Sequence, residues 1–348
     1  MSQTNTRFLP AEWATQSAVM LTWPHAQTDW ADILDEVAPV YFTIAREVLK
    51  RQPLLISCAD EQLLESILVQ IESWDSNQFP VLSYVVDSND TWARDHGPIT
   101  VLQNGQPVLL DFHFNAWGNK FPYAKDDLIN QQLQRAGAFG KTPFQQINLV
   151  LEGGSIESNG QGVLLTTSQC LLTDTRNPGL SQSDVEIRLK DEFGLSEILW
   201  LNHGYLAGDD TDSHIDTLAR FCQDDLICYV GCDDTQDEHY QALKNMESEL
   251  KAFRQPNGKP YRLAKLPMTT PIYDGEDRLP STYANFLIIN GAVLVPVYDV
   301  AEDQEALDVL KECFPQHDIV PVYCTPLVKQ HGSLHCITMQ IPAGVVKS

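Results

Sequence analysis

The chain has 348 residues, of which 43% are hydrophobic and 20% charged, enough for a sizeable core of ordinary globular composition. Its 23 basic residues against 47 acidic ones give a net charge of −24, which repels nucleic-acid phosphates and favours a cationic small molecule. No run of about 18 apolar residues exists, so a membrane-spanning helix is not expected.

The amino-terminal stretch MSQTNTRFLPAEW lacks the basic start and apolar core of a secretory leader, and a cytoplasmic location is expected. No Pro/Gly-rich linker divides the sequence, which reads as a single domain over residues 1–348. In chain order, AVMLTWP reads as a first strand, and ITVLQNGQPVLLDFHF then places strand-like runs on both sides of Asn104-Gly105. SIESNGQGVLLTTSQ repeats the pattern around Asn159-Gly160. A helix is predicted over SQSDVEIRLKDEF, with Ser181 as N-cap, Gly194 as stop and Val185, Leu189 and Phe193 on one face. TLARFCQDDLICYVG is a third copy with weaker turn chemistry at Asp224-Asp225, and ANFLIINGAVLVPVY is a fourth around Asn290-Gly291. Helices are predicted over DEHYQALKNMESELKAF and EDQEALDVLKECF, and HCITMQIP closes the chain as a strand.

The turns fall at positions 104, 159, 224 and 290, a period too long for a solenoid but right for a hairpin, a helix and one more strand. The strands left over at the two ends make a fifth unit, giving five α/β units that close into one array. Acidic groups precede the hairpins at nearly matching levels: Asp95 before the first, Glu152 before the second, His214 and Asp216 before the third. If those stretches are extended, His214 and Asp216 share a face, as do Trp92 and Arg94. Gly153 and Gly154 permit a tight turn or a close approach to backbone. His203, Asp209, Asp210, Asp212, His214 and Asp216 form a dense donor set, but neither H-E-x-x-H nor a calcium-loop spacing is present, so no metal is expected. The eight cysteines contain no C-x-x-C and read as core thiols, with Cys336 the exception to be weighed.

A cysteine nucleophile with one carboxylate orienting a histidine serves acyl transfer, whereas several carboxylates fit a planar cation such as a guanidinium, which they clamp in bidentate pairs. TWARDHGP, LEGGSIE, GDDTDSHIDTLARF and GSLHCITMQIP, in this order, resemble the agmatine deiminase / bacterial-type peptidyl-arginine deiminase family. The resemblance implies a five-bladed, pseudo-fivefold α/β propeller with no cofactor, and a homodimer. It implies Cys336 as nucleophile, His214 as general acid/base, Asp95 and Asp216 as guanidinium carboxylates, Glu152 as a supporting carboxylate and Trp92 as a pocket aromatic. The substrate implied is a small guanidine, agmatine foremost, with Asp210 or Asp212 accepting its distal ammonium. Free or peptidyl arginine, amidino transfer on the same fold and a metal-dependent hydrolase are the alternatives. Free arginine would need a cation for its carboxylate, for which Arg94 is available. His335 is expected to point away from its neighbour Cys336.

Overall fold

Apolar runs separated by two to four polar residues close locally as antiparallel hairpins, whereas a parallel neighbour needs a crossover long enough for a helix. Both connections recur in the computed structural model, which describes residues 6–346. Residues 1–5 of the amino-terminal stretch, and 347–348 at the end of the expected domain, lie outside the described residues. The strands Ile99–Gln103 and Gln106–His113 pair antiparallel, and Phe144–Val150 adds parallel to the second. Ile156–Ser158, Val163–Thr167 and Glu197–Leu201 repeat this order across the helix Gln182–Phe193. So do Ala219–Gln223, Leu226–Val230 and Arg262–Leu266 across the helix Tyr240–Ala252. Leu287–Ile289, Ala292–Val297 and Asp318–Tyr323 do it across Asp303–Cys313. In the fifth sheet the chain ends meet: Thr338–Pro342 pairs antiparallel with Gln16–Thr22, which pairs parallel with Leu54–Cys58 after the helix Leu34–Leu49.

The hairpins are where the sequence placed them, but their turns differ. Asn104 (φ 51°) and Gly105 (φ 79°) both adopt the positive φ of a two-residue type I′ turn. The second turn is longer, with positive φ at Gly160 and Gly162, while Asn159 Oδ1 accepts the amides of Gln161 and Val163. At the fourth only Gly291 is left-handed, and the Asn290 side chain instead bonds both the amide and the carbonyl of Gln16. There Asn joins two sheets rather than shaping its own turn. The Asp224-Asp225 hairpin has no positive φ and carries a register shift between Phe221 and Gln223.

The predicted helix at Ser181 forms with a full capping box to Asp184 and ends at left-handed Gly194, burying Val185, Leu189 and Phe193. All eight cysteines are free and buried. Among the described residues no helix is long and apolar enough to cross a membrane. The largest polar group in the interior is Arg220, fully buried, which donates to Glu157, Glu12 and the carbonyls of Ala284 and Phe286 and stacks 4.6 Å over the Phe286 ring. It thereby ties the amino-terminal segment to the second, third and fourth sheets. Arg220→Met would leave two buried carboxylates without their cation, and a loss of about 3–5 kcal/mol in urea unfolding is expected. A loss under about 1 kcal/mol would show that those acids do not depend on it.

Candidate active site

Each of the five repeated sheets contributes polar side chains just before the first strand of its hairpin. Asp95 sits in the helical turn Ala93–His96, Glu152 precedes the turn Gly153–Ser155, and His214 and Asp216 bracket the start of the turn Ile215–Thr217. The fourth sheet supplies Asn285 ahead of Leu287–Ile289, and the fifth supplies Cys336 ahead of Thr338–Pro342. Cys336 thus lies in the turn before the last strand, not within it as its sequence pattern predicted.

Three of these residues converge on Gly154. A Cβ built there would stand 2.6 Å from His214 Nδ1, 2.8 Å from Asp95 Oδ1 and 3.2 Å from Asp216 Oδ2. Only glycine leaves room for the three side chains, so its purpose is close approach by protein groups. Its amide also donates to Asp95 Oδ1 at 3.0 Å, while Trp117 Nε1 donates to Oδ2 at 2.9 Å. Trp117 reaches Asp95 because the backbone runs left-handed through Ala116, Trp117, Gly118 and Asn119. That conformation costs about 1–2 kcal/mol per non-glycine residue and is held by Asn115, whose Oδ1 accepts the Gly118 amide.

His214 is fully buried, and neither ring nitrogen has a hydrogen-bond partner among the described residues. Nδ1 lies 3.7 Å from Asp95 Oδ1 and Nε2 lies 3.9 Å from Glu152 Oε2, so the ring is poised between two carboxylates. Burial opposes its charge, but Asp95, then Cys170 and Glu152, hold its pKa well above the ordinary histidine value. Burial likewise pushes the Cys336 thiol well up, and Asp216 and Asp95 add to this. Its Sγ lies 3.3 Å from Asn285 Oδ1. Burial raises the Asp95 carboxyl to about 6 against the pull of His214, with Asp216 and Glu152 reinforcing the rise. Burial would raise Glu152 too, but His214 and Arg176 outweigh it and hold Glu152 low.

Glu152, Cys170 and His214 bring donor atoms within 4.8 Å of one another. Arg176 Nε, however, contacts both Glu152 oxygens at 2.9 and 3.0 Å, and that fixed positive charge works against a cation at this position. The remaining expected donors, His203 and Asp209, bond elsewhere, to Glu249 and to Thr211 and Ser213.

A cavity of about 150 Å³ opens onto this cluster, lined by Cys336, Asp95, Trp92, Trp117 and Phe121, with Asp29, Asp90, Asp210, Gln330 and His331 among its other walls. Trp92 takes its expected place and packs against Trp30 and Trp117. Gly332 abuts the Trp92 ring, where a Cβ would come within 2.1 Å. Asp210 lines the cavity as expected. Asp212 does not: its two oxygens are taken by Arg176 and Lys120, at 2.7 and 2.8 Å. Trp92 and Arg94 do not share a side, because the segment coils into a helical turn; Arg94 is buried against Gln340 and the His335 carbonyl. It lines a separate cavity with Glu12, Glu157 and His335; Glu152, His214 and Asp216 are likewise not among the walls of the first. His335 faces away from the cavity, as expected. Trp117, Asn285, Arg176 and Asp90 were not foreseen.

A family model for Porphyromonas-type peptidyl-arginine deiminase matches residues 8–342. The agmatine deiminase of Stutzerimonas stutzeri is 31% identical, over 98% of this chain and 96% of its own length. A solved C. jejuni agmatine deiminase, a cysteine-to-serine variant with substrate bound, is 37% identical with a TM-score of 0.92, covering 99% of both chains. A structure described as an arginine deiminase of Porphyromonas gingivalis is 48% identical with a TM-score of 0.91, covering 98% of this chain and 100% of its own. The match runs from the first edge strand to the last strand and takes in every group gathered at Gly154, and on that extent the chain belongs to the Porphyromonas-type peptidyl-arginine deiminase family.

Proposed function

We propose that this protein hydrolyses the guanidino group of agmatine, giving N-carbamoylputrescine and ammonia, through a covalent adduct on Cys336. The five repeated sheets then stand as blades of one pseudo-fivefold domain, with their hairpin entries gathered on its axis. Asp95 and Asp216 clamp the guanidinium and bring its central carbon to the thiol. In the free protein the thiol is held protonated by burial and by those same carboxylates; the bound cation offsets them and favours the thiolate. The sulfur attacks the guanidinium carbon, the C–N bond to a terminal amine breaks, and protonated His214 supplies the proton with which ammonia leaves. Water, giving its proton to His214, then adds to the S-alkylthiouronium; the C–S bond breaks and the ureido product and thiolate separate.

The observation that carries the choice of agmatine is the composition of the cavity. Asp29, Asp90 and Asp210 line it together with Asp95, and no Lys or Arg is among its described lining residues. A chain with a distal ammonium fits four carboxylates, whereas the α-carboxylate of arginine meets repulsion. The volume of about 150 Å³ also lies below the range of about 300–1,000 Å³ usual for larger ligands. A panel of agmatine, arginine and a blocked arginyl peptide, read by ureido formation, tests this; preference for either arginine compound would overturn it. Within the panel, Asp90→Asn is expected to raise KM for agmatine about tenfold, or about 1.4 kcal/mol, and to leave weak arginine turnover unimproved. Ammonia release without an amine acceptor separates hydrolysis from amidino transfer.

The pH dependence follows from Asp95. Its carboxyl is pushed up to about 6, so the anion that binds guanidinium is present above that pH and lost as pH falls through it. Burial pushes the Asp90 carboxyl up to about 6 as well, so we expect kcat/KM to drop at least about tenfold per unit below about pH 6. A profile flat down to about pH 5 contradicts the assignment.

A further inference from the structure

We propose that His335 is a positioning residue whose imidazole bridges Asp216 to Glu12 and so holds the Asp216 carboxylate with its free oxygen toward the guanidinium. The inference rests on the deiminase reading above. His335 Nδ1 lies 2.7 Å from Asp216 Oδ2, and Nε2 lies 2.7 Å from Glu12 Oε2, with the ring only 1% exposed. Each contact needs a hydrogen between a ring nitrogen and a carboxylate oxygen, so the two acids and the ring are bound as one unit. Asp216 Oδ1, by contrast, is buried and has no hydrogen-bond partner among the described residues. A buried carboxylate oxygen without a donor is costly unless a ligand supplies one. The guanidinium N–H groups do so.

The bridge is itself anchored. Glu12 Oε2 also accepts from Arg220 at 2.6 Å, Glu12 Oε1 accepts the Ile288 amide at 2.7 Å, and Arg220 holds Glu157 at 2.7 Å. On the backbone, the His335 amide donates to Asn285 Oδ1 at 2.9 Å, and its carbonyl accepts from Arg94 Nε at 3.4 Å. Asn285 Oδ1 is also the atom 3.3 Å from Cys336 Sγ. One residue thus orients the guanidinium carboxylate through its ring while its main chain shares the amide that steadies the nucleophile. Burial would raise the Asp216 carboxyl, but His335, then His214 and Arg220, outweigh it and hold it low. The charged groups around the ring are Asp216, Glu12, Arg220, Glu157 and Arg94, with His214 and Asp95 beyond Asp216.

The test compares His335→Phe and His335→Gln with wild type. His335→Phe is expected to lose about 10- to 100-fold in kcat/KM for agmatine, mainly through KM, with the acid limb of the pH profile steepened as Asp216, without its donor, titrates alongside Asp95. Gln keeps an N–H donor, and His335→Gln is expected to recover part of the affinity. A folded His335→Phe with unchanged KM and an acid limb of unchanged slope overturns the proposal, as does a loss confined to kcat. If the wild type neither binds nor turns over any guanidine, the deiminase reading fails instead. The Asp216 carboxylate in crystals of His335→Gln then decides the inference, which falls if that carboxylate has swung away although the introduced glutamine still donates to it, or if it keeps its place with no donor.

Discussion

Replacing Cys336 by serine is expected to abolish ureido formation from agmatine, by on the order of 10⁴-fold or more, while leaving agmatine binding within about threefold of wild type. The substitution removes one sulfur from a site whose clamp is built by other residues. Asp95 is fixed by Trp117 and the Gly154 amide, and Asp216 by His335, and none of these contacts involves the thiol. A serine hydroxyl at this position has no base within bonding distance among the described residues: Cys336 Sγ lies 3.3 Å from an Asn285 oxygen, and neither His214 nitrogen bonds to it. The cation that favours a thiolate is far too weak to ionise an alcohol. Ureido assay beside calorimetric binding separates the two effects. Substantial turnover by the serine variant would remove Cys336 from the chemistry.

The second large effect is expected at His214. Asparagine there retains hydrogen-bonding atoms but neither gives a proton to the leaving amine nor takes one from water, and each such role is worth about 10²–10⁴-fold. Both steps slow, so the loss falls on kcat. His214 sits fully buried between Asp95 and Glu152, which together with Cys170 hold it protonated above the ordinary histidine range. That is the form needed to expel ammonia at neutral pH. A His214→Asn variant with kcat within about threefold of wild type would show that a different group moves the proton.

Much of this arrangement was legible from local chemistry. Asn-Gly pairs between apolar runs located three hairpins, because that signal lies within a few residues of the strands it joins, and the strands left over at the two ends pointed to the fifth sheet only by counting the repeats. Asp95, Glu152, His214 and Asp216 stand out as polar groups at one level of successive repeats; His214, Asp95 and Asp216 gather around Gly154 with Glu152 beside His214, and Cys336, singled out by its resemblance, lines one cavity with Asp95. The rest of the site depends on distance along the chain. Asn285 is a single amide at the head of an apolar strand, and its meaning arises only when the chain end returns to place Cys336 beside it. Trp117 acts through a left-handed turn whose one local trace is Gly118 with Asn119. Asp212 looked like a binding carboxylate until Arg176 and Lys120, from two other segments, were brought to it. The extended reading of Trp92 to Arg94 failed because four residues there coil instead, turning Arg94 into the interior.

The account stands most directly on the covalent intermediate. Wild-type protein mixed with agmatine, quenched in acid during turnover and digested, is expected to show the peptide bearing Cys336 heavier by the mass of agmatine less ammonia. The adduct should be absent at the other seven cysteines and absent after substrate is exhausted. Steady ureido production with Cys336 unmodified at every time point would contradict it.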